Sequence, residues 1–114
     1  MPLQLNTTEH FLKIVAITLN GRLDAFEAPA LRKICDDYVS QGVNHFVFDL
    51  TDVSMLDSAG LAVLVSVLKR ARLAEGDVRL IWPREEAAAR ILRLTKFDQV
   101  FTSILPEQII PKGF

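Results

Sequence analysis

Apolar residues recur along this chain with two different periods, and the switching between them predicts an α/β fold. Leu3, Leu5 and Thr7 alternate with polar residues, and the segment from Phe11 to Leu19 is rich in β-formers, so the chain is expected to open with a hairpin. Asn20-Gly21 then punctuates it. From about Phe26 to Gln41, Leu31, Ile34, Cys35 and Tyr38 recur at helical spacing, with Pro29 suited to a first turn and Gly42 to a C-terminal cap. The apolar run His45-Phe46-Val47-Phe48-Asp49-Leu50 reads as a central strand covered on both faces. A second helix is expected from about Ser58 to Ala74, with Gly76 ending it. Val78 to Trp82 reads as a strand, Pro83 opens a helix through about Thr95, and Phe101 to Leu105 forms a last strand.

Strands alternating with helices after a hairpin imply a mixed sheet whose parallel strands are joined by crossovers. In such a fold the loops at the carboxyl ends of the strands carry function. Two stretches stand there with polar residues that a core does not need: Asn20-Gly21-Arg22-Leu23-Asp24 and Thr51-Asp52-Val53-Ser54-Met55-Leu56-Asp57-Ser58.

Composition narrows the partners. With 114 residues, 50% of them hydrophobic and 24% charged, the chain has material for one compact domain spanning 1–114. Thirteen Lys and Arg against fourteen Asp and Glu give a net charge of −1, which supplies no electrostatic footprint for nucleic acid. The single cysteine, Cys35, lies on an apolar helical stripe and is expected to be a buried small hydrophobe in a reducing compartment. No basic n-region with an apolar h-region opens the sequence, and the Leu61–Leu68 stretch is too short to span a bilayer. A cytoplasmic protein without membrane insertion is the expectation.

Ser58 is the residue on which the chemistry turns. It falls at or beside a helix N-cap, where its hydroxyl or the Asp57 carboxylate can accept a backbone N–H and complement the positive helix end. The local pattern taken alone favours plain capping. The following helix changes the picture: Leu61, Leu64, Val65 and Leu68 form one stripe, while Val63 and Val67 lie roughly 200° to 240° round from Leu61. A second apolar face implies either a covering element or a docking patch beside Ser58.

Other chemistries fit less well. Asp24, Asp49, Asp52 and Asp57 have the spacing of no ion-binding motif, so no metal is expected. A nucleophile elbow needs glycine on both sides of the serine, and Leu56 stands where the first is required. Both histidines precede Ser58, with His10 read as a turn residue and His45 as polarity at a strand entry. No glycine-rich phosphate loop occurs, and a phosphoaspartate receiver at Asp49 lacks its acidic pair, so neither a cofactor nor enzymatic activity is expected.

The chain resembles the STAS domain of bacterial anti-sigma factor antagonists. The likeness rests on Leu19-Asn20-Gly21-Arg22-Leu23-Asp24-Ala25, on Phe48-Asp49-Leu50-Thr51-Asp52-Val53, on Asp57-Ser58-Ala59-Gly60-Leu61 and on Arg90-Ile91-Leu92-Arg93-Leu94-Thr95. Lys96-Phe97 replaces the Gly-Leu that often follows in the family. The resemblance implies a STAS-like α/β fold: a mixed β-sheet with an initial hairpin, parallel crossover strands and about four helices. It implies that Ser58 is phosphorylated by a partner that is both anti-sigma factor and serine kinase and is dephosphorylated by a serine phosphatase, the unmodified form binding the kinase. The partner-binding surface is then expected at Asp24, Met55, Asp57, Ala59, Gly60, Val63 and Val67. A STAS adaptor subunit that is not phosphorylated, in a transporter or signalling complex, is the alternative.

Overall fold

The computed structural model describes residues 13–108. They run β1 (Ile14–Leu23), α1 (Ala28–Ser40), β2 (His45–Leu56), α2 (Ser58–Leu73), β3 (Asp77–Ile81), α3 (Glu86–Leu94) and β4 (Thr102–Ile104). The four strands form one sheet in the order β1-β2-β3-β4, and every pairing among them is parallel. The expected mixed sheet depended on an antiparallel partner at Leu3, Leu5 and Thr7, which lies outside the described residues. Among the described residues three α-helices stand where about four were expected. The only helical turns after α3 among the described residues are the three-residue 3-10 turns Phe97–Gln99 and Pro106–Gln108, too short to close an i to i−4 ladder.

The core follows from β2. Phe46, Val47, Phe48 and Leu50 are fully buried, with side chains alternating to both faces of the sheet, which is why this run is apolar but for the part-buried Asp49. Phe46 and Phe48 share one face, their rings near parallel with centroids 6.1 Å apart. On α1, Ala28, Leu31 and Cys35 are buried at i, i+3 and i+7, whereas Ile34, expected on that stripe, is exposed at its margin. Burial pushes the Cys35 thiol up to about 11, the positive charge of Arg70 opposing this only in part. The side chain is therefore a neutral core hydrophobe near pH 7.

Both stretches read as loops at strand ends are largely strand. The β1–β2 ladder continues through Asn20 opposite Asp52, Gly21 opposite Val53, Arg22 opposite Met55 and Leu23 opposite Leu56. Two register shifts interrupt it, between Thr18 and Asn20 and between Gly21 and Arg22. At each shift β2 advances one residue more than β1, the signature of a bulge. Gly21, with φ 103°, lies at the second shift in a conformation that glycine adopts without a Cβ clash. The polar residues that suggested a loop are the outward members of an alternating strand, and the bulges displace the end of β2 relative to β1.

Lys96 ends α3 in the left-handed region, φ 60° and ψ 22°, at the position where glycine often stands in the resembling family. A non-glycine residue there carries a steric cost of about 1–2 kcal/mol, of which the extra chain entropy of glycine offsets roughly 0.5–1. Lys96→Gly is expected to raise unfolding free energy by about 0.5–1 kcal/mol in urea titrations, with circular dichroism unchanged.

Candidate functional site

Because β1 and β2 are parallel, Leu23 and Leu56 finish side by side, and the turn into α1 meets the start of α2. Asp57 joins them. Its backbone is extended, it is the N-cap of α2, and its Oδ1 accepts the Gly60 N–H at 3.0 Å. Its Oδ2 accepts the Ala25 N–H, also at 3.0 Å, from the turn after β1. The Asp57 N–H donates to the Leu23 carbonyl at 3.3 Å, and the Asp57 carbonyl accepts the Leu61 N–H at 3.0 Å. One residue thus ties a strand end, a turn and a helix start.

Asp57, and not Ser58, takes the capping role that the local sequence left open between them. Ser58 becomes the first helical residue, exposed at the positive end of α2. Its hydroxyl is presented to solvent rather than spent on the helix.

Asp24 is likewise committed to backbone. Its Oδ1 accepts the N–H groups of Phe26 and Glu27 at 3.0 and 3.1 Å, and Oδ2 lies 3.4 Å from the Arg22 Nε. The Asp24 carbonyl accepts from Glu27 and Ala28, so this residue shapes the turn and launches α1. Asp24 and Asp57 are therefore builders of the site's frame, set beside Ser58 by hydrogen bonds.

Three of the residues expected on the docking surface are withdrawn from it. Val63 and Val67 are buried, at 1% and 0% exposure, because the second apolar face of α2 packs on α1. Arg70, one turn beyond Val67 on that face, reaches Asp36 of α1 at 2.7 Å, which fixes the helix that covers it. Gly60 is also buried: a Cβ there would collide with the Leu23 carbonyl oxygen and lie 2.7 Å from Leu23 Cγ. Its lack of a side chain lets α2 start against the end of β1. Met55 remains exposed and Ala59 half-buried beside Ser58.

Phe26, expected at the start of the first helix, stands instead in the turn before α1 with 91% of its surface exposed. The usable signal is phase, since Phe26 falls off the stripe made by Ala28, Leu31 and Cys35.

The remaining acidic residues are engaged elsewhere. Asp49 Oδ1 accepts from the backbone and hydroxyl of Thr51, and Asp52 pairs with Arg84. Among the described residues no group of three or more His, Cys, Asp or Glu side chains is placed to hold a metal ion. His45 opens β2 and Ser58 follows its far end, roughly 30–35 Å of strand away, so this imidazole cannot serve Ser58 as a base. His10 lies outside the described residues.

A family model described as the STAS domain matches residues 4–109 of the 114. The chain belongs to the STAS domain family. An anti-sigma-B factor antagonist of Bacillus subtilis is 31% identical over 80 residues, covering 70% of this chain and 69% of its own. The crystal structure of an anti-sigma factor antagonist from Mycobacterium paratuberculosis superposes with a TM-score of 0.69 at 28% identity, over 81% of this chain and 77% of that one. The Bacillus cell fate determinant SpoIIAA in its phosphorylated form shares the fold, with a TM-score of 0.71 at 18% identity over 94% and 96% of the two chains. This STAS domain is thus a homologue of anti-sigma factor antagonists.

The division of labour between Asp57 and Ser58 predicts opposite outcomes for two alanine variants. Asp57→Ala removes a cap and a cross-link and is expected to cost about 1–2 kcal/mol of unfolding free energy. Ser58→Ala is expected to stay within about 0.5 kcal/mol of wild type. Equilibrium urea unfolding of the two variants checks this.

Proposed function

We propose that this STAS domain is an anti-sigma factor antagonist that acts as a protein-interaction switch, with Ser58 as the residue that is phosphorylated. The observation that carries the reading is the capping of α2 by Asp57, which leaves the Ser58 hydroxyl exposed at the helix start. In this reading the unmodified domain binds a partner that is both anti-sigma factor and serine kinase, phosphorylation releases it, and a serine phosphatase restores binding. The domain works by binding in the cytoplasm and is not itself an enzyme. It needs neither nucleic acid nor membrane insertion, and no helix among the described residues is long and apolar enough to cross a membrane.

The physics of such a switch is local. A phosphate adds about 1.5 to 2 negative charges at the positive end of α2, a placement that the helix dipole favours, so the fold persists. A partner pressed against the site meets the opposite balance. Two like charges about 4 Å apart at an effective dielectric near 20 repel by about 4 kcal/mol, and the phosphate must also be desolvated. A tenfold loss of affinity needs only about 1.4 kcal/mol.

Incubation with ATP and the serine kinases of its own organism should label the wild-type domain and leave Ser58→Ala unlabelled. Ser58→Glu should bind the kinase at least tenfold more weakly while unfolding at the same urea concentration as wild type. Absence of label on Ser58 would instead favour an adaptor that is not phosphorylated.

A further inference from the structure

The turn that Asp57 holds against α2 presents an aromatic ring. Phe26 is the most exposed of the large apolar side chains among the described residues. Its backbone is nevertheless pinned on both sides. Its own N–H donates to Asp24 Oδ1 at 3.0 Å, and the preceding Ala25 N–H donates to Asp57 Oδ2 at 3.0 Å. Phe26 and Ser58 are therefore each one residue removed from the two ends of a single hydrogen bond. A ring on a fixed backbone has only two side-chain torsions to lose on binding, which makes it an efficient contact.

Beside this turn runs a shallow groove between α1 and the start of α2, lined by Ala25, Ala28, Pro29 and Ala59, with Arg32 and Lys33 among its charged residues. Lys33 pairs with Asp37 at 3.6 Å, and Asp36 pairs with Arg70 at 2.7 Å. Arg32 alone of the groove's cations has no carboxylate within ion-pair distance among the described residues. The surface next to Ser58 thus presents an aromatic knob and a groove with an apolar floor, in which Lys33, Asp36 and Asp37 are already ion-paired and the Arg32 guanidinium is not. The nearby carboxylates of Asp24 and Asp57 are occupied with backbone N–H groups.

We propose that Phe26 is the affinity anchor of the Ser58 surface, entering an apolar pocket on a protein partner that brings a carboxylate to Arg32. This rests on the reading of Ser58 as the switched residue and adds the chemistry of what docks there. Apolar contact supplies affinity, and the Arg32 pair supplies orientation and salt dependence. A phosphate on Ser58 opposes both parts. It must be dehydrated as the ring is buried, and it repels the partner's carboxylate while drawing on the same guanidinium.

The test is calorimetric titration of the anti-sigma factor kinase of the same organism with wild type, Phe26→Ala, Phe26→Leu, Arg32→Glu and Ser58→Glu. Phe26→Ala is expected to bind at least tenfold more weakly, Phe26→Leu to recover most of that loss, and Arg32→Glu to weaken binding and flatten its salt dependence. All should share the wild-type urea midpoint, because Phe26, Arg32 and Ser58 are all exposed. Phe26→Ala binding within twofold of wild type overturns the anchor, even where Ser58→Glu still abolishes binding and the switch stands. Tight binding by Ser58→Glu alongside loss in Phe26→Ala overturns the switch and keeps the anchor. No binding by wild type contradicts both.

Discussion

The site depends on one carboxylate accepting two backbone N–H groups from segments more than thirty residues apart in sequence. Asp57 Oδ1 closes the first turn of α2 through Gly60, and Oδ2 holds the turn after β1 through Ala25. A carboxylate is the side chain suited to this, since it offers two acceptor oxygens, and charge-assisted bonds to N–H groups are the stronger kind. The arrangement requires β1 and β2 to end in register, which the two bulges in their parallel ladder set, and it requires α2 to approach Leu23 closely, which Gly60 permits. With the cap supplied by its neighbour, Ser58 is free to be a surface residue.

This frame explains how a modification can act on binding without acting on folding. The load-carrying bonds around Ser58 run through Asp57, Asp24 and backbone groups, and none needs the serine hydroxyl. A negative charge added at the helix start is accommodated by the dipole within the domain, yet it is costly to any surface that must exclude water there. Family membership and homology to anti-sigma factor antagonists agree with a domain whose business is contact with another protein.

Much of the fold was legible in the sequence because each signal was local. Pro29 and the spacing of Leu31 and Cys35 mark α1, the run from Phe46 to Leu50 marks the central strand, and the stripe of Leu61, Leu64 and Leu68 marks α2. The misreadings arose where a distant segment decided the outcome. Asn20-Gly21 carries the local chemistry of a turn, but pairing with β2 keeps it in a bulged strand. Val63 and Val67 announce a second apolar face without saying that α1 covers it. Asp57 and Ser58 are equally good caps by type, and what sets Asp57 apart is its further bond to Ala25, on the far side of α1 and β2 in the chain. Phe26 differs from a residue of the first helical turn only in phase, lying off the stripe of Ala28, Leu31 and Cys35, and its exposure is set by the turn that Asp24 and Asp57 hold.

The most direct test of this account is amide hydrogen exchange by NMR at Ala25 and Gly60, in wild type and in Asp57→Ala. If a single carboxylate secures both segments, the two amides should lose protection together in the variant, by an order of magnitude or more, while the β2 core amides of Phe46 and Val47 hold theirs. Faster exchange at Gly60 with Ala25 unchanged would mean that the turn bearing Phe26 is held independently of the helix bearing Ser58, and would contradict the account.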